Sequence, residues 1–163
     1  MLMLRQFDSR RVRTPLQCNF GPQSMIFDEL HRVIKKGDLI RIRSELDGGL
    51  NPNLCNQYSW TLLMLAAMEG NTSIGKLLIE KGADLDTRTN NRDTALSLAA
   101  HTGHPSFVKL LLDSGASLEC YPFGNHLEVW LNWLGEYSGC PPKELDRIRE
   151  LFDSEHEIRS REE

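Results

Sequence analysis

Thr61-Leu62-Leu63-Met64-Leu65-Ala66-Ala67-Met68-Glu69-Gly70 and Thr94-Ala95-Leu96-Ser97-Leu98-Ala99-Ala100-His101-Thr102-Gly103 are two versions of one line. Each is followed by a second matched line, Ile74-Gly75-Lys76-Leu77-Leu78-Ile79-Glu80-Lys81-Gly82-Ala83 and Phe107-Val108-Lys109-Leu110-Leu111-Leu112-Asp113-Ser114-Gly115-Ala116. Thr61 to Thr94, Ala67 to Ala100, Leu77 to Leu110 and Gly82 to Gly115 all share one spacing. A period of about 33 residues, held at so many positions, predicts a stacked array of helix pairs.

The local chemistry agrees. Leu63, Ala66 and Ala67 lie at the three- and four-residue spacings that share one helix face. The alanines leave room for a neighbouring helix, and Gly70 ends the first helix as a C-terminal glycine does. Ile74, Leu77 and Leu78 form the stripe of a second helix closed by Gly82. A lone pair cannot bury that stripe, so each pair needs neighbours. On this register Leu77 and Leu110 are core residues, and Leu110→Ala is expected to cost about 2–5 kcal/mol.

With the period, the T-x-L-x-x-A-A-x-x-G line and the L-L-x-x-x-G-A pair, the chain resembles the ankyrin repeats, whose signature is T-P-L-H-x-A. It departs from that signature at the Pro (Leu62, Ala95) and at the His (Met64, Ser97). The resemblance implies an all-α fold: an α-solenoid of ankyrin-like helix-turn-helix repeats joined by short β-hairpin-type loops.

Outward from the two regular copies the frame weakens. Gly37 and Gly49 lie one period before Gly70 and Gly82, which marks a degenerate first repeat. Ile26, Leu30, Val33 and Ile34 are its first helix, and Leu39, Ile42 and Leu46 its second. Ser44 and Glu45 replace the leucine pair, which suits a terminal cap with one wet face. A fourth copy should begin at Leu127, with Trp130 and Trp133 on one face of a capping helix. Pro142 then opens a helix striped by Leu145, Ile148, Leu151 and Phe152. The expected domains are a disordered basic tail over 1–24 and a repeat domain over 25–153. Its copies are 25–56, 57–89, 90–122 and a degenerate capping repeat at 123–153. A charged, frayed tail follows at 154–163.

Composition narrows the function classes. The chain has 163 residues, enough for one domain, and a net charge of −4 that makes no global case for nucleic acid or acidic membranes. Its longest apolar run, Leu62 to Met68, is far short of the roughly 20 residues a membrane span needs. Cys18, Cys55, Cys120 and Cys140 are scattered without metal spacing, which favours a reducing compartment. His101 and His104 are separated by Gly103, which would end a helix between them, and no further ligand completes a zinc set. Gly48-Gly49 lacks the Lys-Ser/Thr of a phosphate loop, and no Ser or Cys sits in a nucleophile signature. The expectation is therefore no enzyme, no metal, no cofactor and no small-molecule substrate.

The resemblance implies that binding uses the hairpin tips and the exposed ends of the first helices. On this sequence those positions are Lys35 in the first repeat and Gln57, Tyr58, Trp60, Met68 and Glu69 in the second. They continue with Asn90, Asn91, Asp93, His101 and Thr102 in the third and Phe123 in the fourth. Trp60 has an alternative role packing on the preceding hairpin, and Phe123 one tucked against the cap. The expected function is a protein-interaction module (adaptor, scaffold or inhibitor) that binds another protein or peptide through its concave face, in the cytoplasm and with access to the nucleus as a further expectation. The alternative is a nucleus-associated regulatory factor acting through the tail, where Arg5, Arg10, Arg11 and Arg13 against Asp8 give +3.

Overall fold

The period reappears as a ladder of helices. The computed structural model describes residues 22–118, 134–136 and 140–162. Its helices are α1 (Pro22–Lys36), α2 (Leu39–Asp47), α3 (Leu62–Met68), α4 (Thr72–Glu80), α5 (Ala95–His101), α6 (Pro105–Asp113) and α7 (Pro142–Glu162). The starts of α2, α4 and α6 are one period apart, as are those of α3 and α5. First helices stack in one layer (α1 on α3 on α5) and second helices in another, with α7 on α6. Among the described residues the β pairing is one antiparallel bridge, Cys55 to Thr61.

Each first helix is short because its ends are chemically marked. Thr61 and Thr94 sit in extended backbone and accept from the N–H of Met64 and Ser97. The return bond differs: Thr94 N–H donates to Ser97 Oγ at 2.9 Å, whereas Thr61 N–H has only the weak acceptor Met64 Sδ at 3.5 Å. Ala66, Ala67, Ala99 and Ala100 are fully buried, and the missing side-chain bulk lets α1, α3 and α5 approach. Gly70 closes α3 at φ +66°, a left-handed conformation that costs an L-residue roughly 1–2 kcal/mol.

That glycine also makes space for the next repeat. A Cβ at Gly70 would lie 2.6 Å from the His104 ring, whose Nε2–H donates to the Met68 carbonyl at 3.0 Å. His104 is thus a structural clamp between adjacent repeats. The same slot one repeat earlier holds Asn71, against Gly37, and there the side chain caps α4 by accepting from Ile74 N–H at 3.2 Å. At the far end Cys140 and Pro141 lie against Gly103. The turns are tied likewise: the Asn53 amide bridges Gly82 O and Asp84 N, and the Asp86 carboxylate accepts from Ser117 N.

Several expectations change. α1 opens at Pro22, inside the segment assigned to the tail, because proline is well suited to the first turn of a helix. Its buried stripe is Phe27, Leu30 and Ile34, at positions i, i+3 and i+7, whereas Ile26 is exposed. Leu110 is half-buried, unlike the buried Leu77. Its neighbour across the stack is Gly75, which presents no side chain for it to pack on. α7 keeps the expected stripe, with Leu145, Ile148 and Phe152 buried and Leu151 against the core. It then runs on to Glu162, so 154–162 is helical and not frayed. Arg159 holds that extension, donating to Glu155 at 2.7 Å and to the Ala116 carbonyl at 2.9 Å. Residues 1–21, Phe123, Trp130 and Trp133 lie outside the described residues.

Candidate functional site

The candidate surface is built by two tight turns and the ends of three helices. In the first turn Asn56 N donates to Trp60 O at 3.1 Å and Ser59 N to Asn56 O at 3.0 Å. In the second, Thr89 N donates to Asp93 O at 2.9 Å and Arg92 N to Thr89 O at 2.8 Å. Ser59 and Arg92 take left-handed φ values of 62° and 69°, so both loops reverse at the same step. The turns also touch: Asn90 N donates to Tyr58 O at 3.2 Å, and Ser59 Oγ reaches Asn90 Oδ1 at 3.4 Å. The tips therefore form one braced edge.

On that edge Gln57, Tyr58, Asn90 and Asn91 are exposed, Tyr58 to 55%. Trp60 is half-buried against the core, its N–H bonded to Asn56 Oδ1, so it offers an edge and not a whole ring. At the helix ends Lys35 and Glu69 are exposed and Met68 partly so, at 37%. Thr102 fits a binding role least well: it is half-buried and its hydroxyl donates to Leu98 O at 2.8 Å.

Asp93 and His101 form an electrostatic pair within the third repeat. Burial pushes the Asp93 carboxyl above its ordinary range; the Thr89 hydrogen bond and the charge of His101 pull the other way. The folded state therefore holds that proton more tightly than the unfolded chain does, and Asp93 subtracts stability as pH rises above the ordinary carboxylate pKa of 3.8. Because Asp93 feels His101, their counterparts one period earlier, Trp60 and Met68, are neighbours too. One repeat places an apolar pair where the next places an ionic one.

Sequence reasoning passed over Ser59 and Arg92, although their separation by one period was a readable signal. Among the described residues no group of three His, Cys, Asp or Glu side chains is placed to hold a metal. No described helix is long and apolar enough to cross a membrane. Cys140 is buried, and burial followed by the nearby Glu144 charge raises its pKa, which keeps the thiol protonated.

Comparison with known proteins falls on the repeat segment. The chain is 33% identical over 78 residues to the 2-5A-dependent ribonuclease of Mus musculus, covering 45% of this chain and 11% of that protein. It is 30% identical over 84 residues to the inactive serine/threonine-protein kinase TEX14 of Bos taurus, covering 49% and 6%. It is 33% identical over 78 residues to the NAD-capped RNA hydrolase NUDT12 of Macaca fascicularis, covering 46% and 16%. The chain thus spans only a small part of the length of these relatives, a little over two repeats of each. A family model described as ankyrin repeats (3 copies) matches residues 30–121, more than half of the chain, which therefore belongs to the ankyrin-repeat family.

Proposed function

We propose that the chain is a non-catalytic adaptor, scaffold or inhibitor that binds a partner protein across the face formed by its hairpin tips and first-helix ends. Ankyrin repeats are protein-interaction modules in general, and the finer reading rests on one observation. The edge built by Asn56–Trp60 and Thr89–Asp93 is cross-braced by backbone bonds yet presents Tyr58 and Met68 to solvent. A rigid display of this kind lowers the ordering cost of association. Aromatic and Met side chains are the types enriched at interface centres. On this reading the module acts in the cytoplasm, with access to the nucleus.

Affinity capture with mass spectrometry, comparing the wild type with Trp60→Ala/Met68→Glu at matched melting temperature, tests the face. Proteins recovered by the wild type and lost with the variant are the expected result. Identical lists from the two would reject this face as the working surface.

A further inference from the structure

The candidate face is electrically polarised along the stack. Lys35, Met68 and His101 occupy one register position in successive repeats, and Lys36, Glu69 and Thr102 the next. Lys35 and Lys36 end α1, both exposed, and no described carboxylate pairs with either; the ion pair of α1 is Arg32–Glu29, at 3.2 Å. One repeat on, the surface is apolar, with Tyr58, the edge of Trp60 and Met68. Beyond them lie the Glu69 and Asp93 carboxylates. Cation, apolar patch and anion follow one another in the direction of the stack.

From this we infer that the partner presents an extended peptide segment, with carboxylates at the Lys35–Lys36 end, a bulky apolar side chain on Tyr58–Trp60–Met68, and a basic residue toward Asp93. This inference rests on the proposed function and gives the binding partner a chemistry. Adjacent helices in such a stack lie about 10 Å apart, so two repeat steps span about 20 Å. An extended chain rising about 3.3 Å per residue covers that in about six residues. The braced tips supply the rigid wall, and charge complementarity fixes the direction in which the segment lies. The opposite direction would set its acid against Glu69 and Asp93.

A display library of random twelve-residue peptides, selected on the whole protein, tests it. Peptides enriched on the wild type should carry Asp or Glu two to four residues before a large apolar residue, with Lys or Arg after it. Their affinity should fall as salt rises from about 50 to 300 mM. Lys35→Glu/Lys36→Glu should bind them about ten-fold more weakly and select basic residues at the first position instead. Lys35→Gln/Lys36→Gln, which perturbs α1 less, should weaken binding about three-fold. No enrichment on the wild type, or enriched peptides without the acidic excess, overturns the inference. So does equal binding by the wild type and both lysine variants. Peptides lost with Trp60→Ala/Met68→Glu but indifferent to the lysines overturn this inference alone. Peptides bound equally by every variant reject the face, and the proposed function with it.

Discussion

At the scale of single residues, close approach between repeats is settled by pairs of positions, one large and one vacant. Phe107 occupies the slot that Ile74 holds one repeat earlier, and its larger ring is accommodated because its neighbour in α4 is Gly75. A Cβ there would fall 2.5 Å from Phe107 Cζ, and Phe107 is fully buried, so the ring has nowhere to move. Two effects compete in Gly75→Ala. Removing a mid-helix glycine stabilises by about 1 kcal/mol, and overpacking a closed core costs about 1–3 kcal/mol. The clash should win, lowering stability by about 1 kcal/mol in chemical denaturation. Combining Gly75→Ala with Phe107→Leu should recover part of that loss, a favourable coupling between the two sites. Strictly additive effects would show that the ring is not seated on Gly75. The glycines at the helix ends were legible from spacing alone, since Gly37, Gly70 and Gly103 stand one period apart. What fills each space was not, because Asn71, His104 and Cys140 share no chemistry that a periodic pattern could reveal.

At the scale of the element, spacing identified the helices but overstated the equivalence of their stripes. Leu77 and Leu110 share a register position, yet one is buried and the other half-buried. Burial depends on the neighbouring helix as well as on the residue's own periodicity, and no pattern internal to α6 reports that its neighbour offers Gly75. The earlier expectation for Leu110→Ala, about 2–5 kcal/mol, therefore belongs to Leu77→Ala. For Leu110→Ala the half-buried environment implies roughly half as much, about 1–2 kcal/mol. Equal shifts in the denaturation midpoints of the two variants would contradict this difference. The candidate site was legible for a related reason. Hairpin tips and helix ends are set by backbone geometry that recurs once per repeat, so positions transfer between copies. Side-chain availability does not transfer: Thr102 is tied to Leu98 O, while its counterpart Glu69 is exposed.

At the scale of the whole molecule, the stack must end without leaving apolar stripes in water, and its two ends manage this differently. The first repeat lengthens its first helix, α1 having 15 residues against seven in α3 and α5, and makes its second helix polar. The other end lengthens the second helix, α7 having 21 residues against nine in α2, α4 and α6. α7 opens at Pro142, later than one full period after the Pro105 that opens α6, so the last step of the stack departs from the repeat. A groove of about 530 Å³ stays open along the seam, lined by Ser106 and Lys109 on one side and Arg147 and Leu151 on the other. The packing left incomplete there gives weight to the contact beyond it, where Arg159 reaches back to the Ala116 carbonyl. Arg159 is partly exposed, so this charge-assisted bond should contribute about 1 kcal/mol after solvent screening. Stopping the chain after Asp153 removes it while keeping Leu145, Ile148 and Phe152 in the core. That truncation should lower the melting temperature by about 3–6 °C while leaving a single cooperative transition. Arg159→Ala in the full chain should reproduce most of the shift. If the truncated protein melts like the full chain, the last turns of α7 add nothing to the cap. If it melts in two steps, they are what couples the final helix to the rest of the stack.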